Sequence, residues 1–469
     1  MPAAAHTDSV QLQDRAYDST DDLEAAHFLP PSTAPDDAAG PAWSKPRPRR
    51  DWRAPAISLL GGLALGALLT HVAASWASPT FSFKDVPQLL DLAFDNRTQP
   101  VRIHYRSDSA RSRRDPILPP DCPVPVLFTD DERSADVVVL KTDSYAGLTP
   151  QEVASARRER PWQQFALWGV ESAPNRKPLE RHFNHLRDGE ANETAAFEMT
   201  YRLNSSVPAT YSYSYFNYST PPTPWLDKRS DRIAAAFVTN CRPKNARSLI
   251  LEELIKLLNG QLDSFGSCFN NVKASDALQE LGLADEVGTK TRWNEKITLM
   301  SRYKFSVAFE NSNDLDYSTE KLFQAFERGT VPLLFGPPDA AKRFFPSPTA
   351  AIDVASYLPA SYSAPSNSSS VPPDALDDAA RAGLARLAER LTFLSSDAGR
   401  DEYEGMLAWK RDRRWLDDPA NPLGKVVRQS HSEWDQDCRL AGVFRGEEWA
   451  RNPWVPPVDE REEEEERES

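Results

Sequence analysis

The 36 residues from Tyr303 to Pro338 hold most of the side chains in this chain whose types and spacing fit a chemical task. An apolar run, Phe305–Phe309, ends in Glu310-Asn311-Ser312-Asn313, and a short loop with Asp314, Asp316 and Tyr317 leads to Thr319-Glu320-Lys321 at the start of a helical pattern. The free N–H groups of a helix N-terminus attract phosphate, and a lysine in the first turn adds a full positive charge. A second apolar run, Val331–Gly336, closes on Gly336-Pro337-Pro338. Two parallel strands ending side by side place both polar ends at the carboxyl edge of a sheet, where open α/β folds bind ligands. The chemistry implied is recognition of a nucleotide or nucleotide sugar.

Other constellations are weaker. Asp314-Leu315-Asp316 has the Asp-x-Asp spacing that holds a manganese nucleotide in some transferases. Lys321 already offers charge that would offset a phosphate group, so the two aspartates are read as a solvated loop and no metal site is expected. No paired Cys or His spacing suggests zinc, and His182 and His185 read as a surface pair. The absence of a Gly-x-Ser-x-Gly elbow speaks against a serine hydrolase.

The elements that must position these groups alternate in type. Pro125–Phe128, Asp136–Leu140 and Phe165–Val170 read as buried strands, with a helix over 151–160. A second block follows the Tyr-, Ser- and Pro-rich 207–229: strands at Ile233–Thr239, Phe305–Phe309, Val331–Gly336 and Ala350–Val354, and helices at Ser248–Leu258, Thr319–Phe326 and Ala375–Leu394. Alternation of this kind implies parallel sheets with crossover helices. The expected fold is α/β, two Rossmann-like domains facing across a cleft, over 97–229 and 230–412, followed by a C-terminal extension over 413–469. No internal sequence repeat is evident.

The segment resembles the donor-binding signature of the alpha-1,3-fucosyltransferase family: Phe-Glu-Asn-Ser, a short acidic loop, Asp-Tyr, Thr-Glu-Lys, then Gly-Thr-Val-Pro before a Gly-x-Pro turn. The resemblance extends to Trp168 through Pro174, to Met199-Thr200-Tyr201-Arg202, to Thr239-Asn240-Cys241 with Arg247, and to Tyr403 through Trp409-Lys410. It covers roughly residues 120–412. It departs at Asn204, where many members have Asp, and at Ala173, inserted between Ser172 and Pro174; both lie on the acceptor side.

The resemblance implies a GT-B fold and inverting transfer of L-fucose from GDP-fucose to a GlcNAc hydroxyl of a glycoprotein glycan in alpha-1,3 linkage. It leans toward the innermost GlcNAc of N-glycans. An attacking hydroxyl must lose its proton, so a carboxylate must serve as general base; Glu171 matches that position. Arg247 and Lys321 match the diphosphate contacts, and Asn311, Tyr317 and Glu320 the residues that touch nucleotide or fucose. No cofactor is implied beyond the donor substrate, with stimulation by divalent cations left open. The rival readings are a metal-dependent transferase of another nucleotide sugar and a silent membrane-anchored glycan-binding protein.

Composition adds topology. The chain has 469 residues and a net charge of -14. Residues 1–53 carry -3 and 459–469 carry -6, which leaves only -5 for everything between. Both ends read as polar tails, the first disordered and cytosolic and the last acidic. The acidic balance argues against nucleic acid as a partner, since such binding requires clustered Lys and Arg. No Asp, Glu, Lys or Arg occurs from Ala54 to Phe83, and 54–76 is long enough for a membrane-spanning helix. Lys45, Arg47, Arg49, Arg50 and Arg53 precede it, so the positive-inside tendency predicts a single-pass type II Golgi anchor. A stem over 77–96 and a lumenal body would follow. The sequons at Asn96, Asn192, Asn204, Asn217 and Asn367 and all four cysteines lie after the anchor. In an oxidising compartment the cysteines allow two disulfides in any of three pairings.

Overall fold

The computed structural model describes residues 99–106, 122–142, 150–187, 195–213, 216–288, 291–430 and 436–454. The expected cytosolic tail, anchor, stem and acidic tail, and the sequons at Asn96 and Asn192, lie outside them. Among the described residues no helix is long and apolar enough to cross a membrane.

Ten strands form two wholly parallel five-stranded sheets. The first contains β1 (Val101–Arg106), β2 (Val126–Phe128), β3 (Val137–Lys141), β4 (Gln164–Gly169) and β5 (Phe197–Thr200), in the order β2-β1-β3-β4-β5. The second contains β6 (Ala234–Ala236), β7 (Leu262–Ser264), β8 (Phe305–Phe309), β9 (Val331–Phe335) and β10 (Ile352–Asp353), in the order β10-β9-β8-β6-β7. Read from the other edge, the second order is that of the first. The arrangement of one doubly wound sheet thus occurs twice without a sequence repeat, because topology depends on where apolar runs fall rather than on their exact residues.

The central strands β8 and β9 are buried at every position, as their continuous apolar runs require. Pro332 is tolerated in β9 because β10 begins pairing only at Leu333, so no ladder partner waits for the missing N–H. β6 is shorter than the expected Ile233–Thr239. After Ala236 the chain turns away, and the Val238 carbonyl accepts from Cys268 N at 3.0 Å. The fourth expected strand, Ala350–Val354, contracts to Ile352–Asp353.

Twelve helices complete the described chain: α1 (Pro150–Glu159), α2 (Lys177–Arg187), α3 (Arg247–Leu257), α4 (Ala274–Glu280), α5 (Arg292–Met300), α6 (Glu320–Arg328), α7 (Ala340–Phe344), α8 (Asp378–Ser395), α9 (Arg400–Met406), α10 (Arg414–Asp417), α11 (Pro422–Ser430) and α12 (Gln436–Arg445). Short 3-10 turns join several of them.

From Pro100 on, the described residues belong to one compact unit. One apolar core is shared between the sheets: Leu140, Phe165 and Tyr201 from the first meet Phe323, Phe326, Phe344, Trp409 and Trp415. The 207–229 stretch, whose Pro and Ser content suggests a connection, is largely interior, and its Tyr211, Phe216 and Tyr218 belong to this shared core. Val207, Ala209, Tyr211, Phe216, Tyr218 and Trp225 are all buried. Lys410 ties it down, donating to the carbonyls of Tyr218 (3.0 Å), Phe326 (2.7 Å) and Glu327 (3.1 Å), the last two at the C-terminus of α6.

The region read as an extension, 413–469, returns to where the described chain begins. α11 enters the shared core through Leu423, Val426 and Val427. α12 lays Leu440 and Ala441 on Val101, Ile103, Val137 and Val139 of the first sheet. A disulfide joins Cys438 to Cys122, and a second joins Cys241 to Cys268. Of the three pairings open from sequence, this is the one the fold brings together.

Candidate functional site

Strand order reverses between β6 and β8, which opens a crevice at their carboxyl ends. Arg247, the first residue of α3, is buried there and spans it. Its Nη2 donates to the Asn240 carbonyl at 2.6 Å, beyond β6, and its Nη1 to the Phe309 carbonyl at 3.1 Å, the last residue of β8. A planar fork with several donors reaches both carbonyls at once.

The polar end of β8 builds the start of α6. Glu310, fully buried, accepts from the Thr319 backbone N–H at 2.7 Å and from Thr319 Oγ1 at 2.9 Å. A carboxylate nine residues upstream therefore takes an N–H that Thr319 itself does not cap. Burial pushes the Glu310 carboxyl up, and Lys321 opposes that shift. Lys321 Nζ lies 3.5 Å from Glu310 Oε2 and 3.3 Å from Glu320 Oε1. Lys296 Nζ of α5 lies 3.8 Å from the same Glu320 oxygen. Burial pushes Glu320 up, but Lys321 and Lys296 outweigh it and hold its carboxyl below the usual range.

Glu171 follows β4 and meets residues from the second sheet. Its Oε1 accepts from Ser172 N (2.7 Å), Ser172 Oγ (3.0 Å), Asn175 Nδ2 (3.3 Å), Asn311 Nδ2 (3.4 Å) and Tyr317 Oη (2.8 Å). Among the described residues nothing donates to Oε2. Tyr317 is buried, and burial first, then the nearby Glu171 charge, pushes its hydroxyl well above the ordinary range. It stays a donor. Its ring meets Tyr201 (5.2 Å between centroids) and Tyr211 (6.3 Å) edge to face, and Tyr211 Oη donates to the Val170 carbonyl at 2.9 Å.

Two expectations are corrected. Asp314 and Asp316 are not a solvated loop: they are 7% and 2% exposed. Asp314 accepts from Ala173 N, Tyr201 Oη and Arg202 Nη2, whereas Asp316 accepts from Leu203 N at 3.0 Å and pairs with Arg343 of α7 at 2.7 Å. His182 is not a surface residue either. It is buried, with Nε2 3.1 Å from Glu198 Oε1, because α2 turns it inward onto β5. Asn204, Asn217 and Asn367 are exposed.

Residues 227–364 match the family model described as glycosyltransferase family 10 (fucosyltransferase) C-term. The chain carries a glycosyltransferase family 10 domain.

Among curated relatives, a putative fucosyltransferase-like protein of Arabidopsis thaliana is 39% identical over 142 residues, 30% of this chain and 23% of that protein. An alpha-(1,4)-fucosyltransferase of the same plant is 32% identical over 145 residues, 29% and 34% of the two chains. The 4-galactosyl-N-acetylglucosaminide 3-alpha-L-fucosyltransferase 9 of Bos taurus is 26% identical over 181 residues, 39% and 42%. The chain thus spans less than half the length of each relative.

Of the side chains singled out from sequence, Arg247, Asn311, Tyr317, Glu320 and Lys321 fall inside the family 10 domain, whereas Glu171 precedes it. The fold brings Glu171, Asn311 and Tyr317 into direct contact and sets Lys321 against Glu320. Arg247 sits apart from that contact, on the strand ends. Sequence reasoning missed Glu310, Lys296 and Tyr201. Glu310 had a signal, a carboxylate closing a largely apolar strand, but Lys296 and Tyr201 gain meaning only from distant partners.

Proposed function

We propose that this chain is an inverting fucosyltransferase that moves L-fucose from GDP-fucose to a GlcNAc hydroxyl of an N-glycan in alpha-1,3 linkage, with Glu171 as the general base. The observation that carries the reading is the asymmetry of Glu171: five donors hold Oε1, two of them from the family 10 domain, and Oε2 is left for a substrate proton. In the reaction the acceptor hydroxyl gives its proton to Oε2 and its oxygen bonds to the fucose anomeric carbon from the face opposite GDP. The bond from that carbon to the diphosphate oxygen breaks, and its electron pair leaves with GDP. Lys321 and the positive end of α6 offset the developing charge, and Arg247 holds open the strand ends where the diphosphate sits. Asn311, Tyr317 and Glu320 orient the nucleotide and fucose.

No divalent cation is required in this reading, since protein donors occupy Asp314 and Asp316. The named relatives include 3-alpha and 1,4 linkages, so the linkage and the preference for the innermost GlcNAc belong to the proposal alone. So do the Golgi location, the type II anchor over 54–76 and glycosylation at the five sequons. Two disulfides and three exposed sequon asparagines support a lumenal body.

The test uses the full chain in detergent with labelled GDP-fucose, with and without EDTA, against N-glycan core and lactosamine acceptors. Transfer should survive EDTA. Glu171→Gln should lower it by about 10²- to 10⁴-fold while GDP binding stays within twofold. Equal activity in the variant would remove Glu171 as base, and neither transfer nor slow donor hydrolysis by the wild-type chain would remove the enzyme reading.

A further inference from the structure

We infer that Asp314 is a positioning residue for Glu171, an inference that rests on the role proposed above for Glu171. Asp314 belongs to the loop after β8, yet its carboxylate is spent on the first sheet. Oδ2 accepts from the Ala173 backbone N–H at 3.1 Å and from the Tyr201 hydroxyl. Oδ1 accepts from Arg202 Nη2 at 2.7 Å. The Tyr201 hydroxyl oxygen in turn accepts from Ala173 N at 2.9 Å, so that N–H is shared between the two.

Two routes run from this carboxylate to Glu171. The first is backbone: Ala173 is two residues on, and its N–H, drawn onto Asp314, sets the direction of the turn on which Glu171 sits. The second is through side chains: the Tyr201 ring packs edge-on against Tyr317, which donates to Glu171 Oε1 at 2.8 Å. Asp314, Tyr201 and Ala173 are all less than a tenth exposed, so water cannot replace a lost partner cheaply. The residue that donates this bond is Ala173, the one inserted into the Ser-Pro sequence. A charged acceptor from the opposite sheet holds the lengthened turn in register.

The experiment is a double-mutant cycle read together with amide hydrogen exchange. Asp314→Ala should reduce the turnover of fucose transfer about 10- to 100-fold, with GDP affinity and donor KM within twofold of wild type. Asp314→Asn keeps the size and one acceptor oxygen, and it should recover part of that loss. In the Glu171→Gln background the same changes should cost less than twofold more, because a residue acting only through Glu171 has nothing left to position. A merely structural residue would cost the same factor in both backgrounds, which would overturn the inference.

Hydrogen exchange needs no activity. Over 172–176 it should speed up at least about tenfold in Asp314→Ala, or measurably in Asp314→Asn if the alanine variant does not fold, with α6 unchanged. Unchanged protection of that turn would also overturn the inference. A wild-type chain that transfers no fucose refutes the transferase reading, and the exchange result then decides the positioning of the turn by itself.

Discussion

Replacing Gly336 by alanine should damage both the stability of the fold and its grip on GDP. Gly336 closes β9 with φ 143°, a region essentially reserved for glycine. A Cβ there would stand 2.7 Å from Glu310 Cβ and 3.2 Å from the Ser312 carbonyl oxygen. Carbon contacts settle at about 3.5–4.0 Å, so Glu310 would have to retreat by roughly 1 Å. It cannot do so alone, because it holds Thr319 at the start of α6. Backbone strain in such a conformation costs on the order of 1–3 kcal/mol, and overpacking a tight interior about 1–3 kcal/mol more.

The expected destabilisation is therefore about 2–6 kcal/mol. GDP affinity should fall by about tenfold or more as the first turn of α6 shifts, since about 1.4 kcal/mol suffices for that factor. Denaturant unfolding and GDP calorimetry on the full chain measure the two effects. Gly405→Ala is the control: this residue is exposed in α9, a Cβ there meets nothing within 4 Å, and alanine should add about 0.5–1 kcal/mol. A Gly336→Ala variant within about 0.5 kcal/mol of wild type and with unchanged GDP binding would refute the claim that β8, β9 and α6 are locked through Glu310.

The buried lysines set a pH dependence. Burial pushes Lys228 and Lys410 down to about 7, whereas the unfolded chain keeps these protons to about 10.4. Between those values the unfolded state binds more protons, so stability should rise with pH from about 7 toward 9. Lys410→Met should flatten part of that rise in denaturant titrations at fixed pH values; an unchanged slope would show that Lys410 does not titrate there. The Cys122–Cys438 bridge closes a loop of sequence separation 316 and pins α12 to the first sheet. Replacing both cysteines by alanine should cost on the order of 3–5 kcal/mol in chemical unfolding, and a loss under about 1 kcal/mol would mean that apolar packing alone holds α12 in place.

Much of the second sheet was legible because its central strands β8 and β9 are wholly buried and read as largely apolar runs. Phe305–Phe309 matches β8 without adjustment, and Val331–Gly336 exceeds β9 by one residue. β1, β5 and β7 were not foreseen; the last two have only three or four residues, too little periodicity to distinguish strand from loop, and β1 alternates with polar His104 and two arginines. The 207–229 stretch misled for a different reason. Composition measures what a segment contains and not what covers it, and here Tyr211, Phe216 and Tyr218 bury themselves in the core that the two sheets share. Asp314-Leu315-Asp316 misled in the same way, because an acidic loop looks solvated until the partners that desolvate it are known.

The sequence by itself determined the α/β character, the helix start at Glu320-Lys321, and the side chains suited to an anionic nucleotide sugar. Each of these depends on neighbours a few residues away, and spacing along the chain reports such neighbours directly. Only the tertiary structure decided the cysteine pairing, the return of α12 to the first sheet, the spanning of β6 and β8 by Arg247, and the meeting of Glu171 with Asn311 and Tyr317. Glu171 and Tyr317 are 146 residues apart in sequence. No local propensity encodes that contact. It exists because two separately wound sheets bury a common apolar face, and that burial brings their carboxyl-end loops within hydrogen-bonding distance.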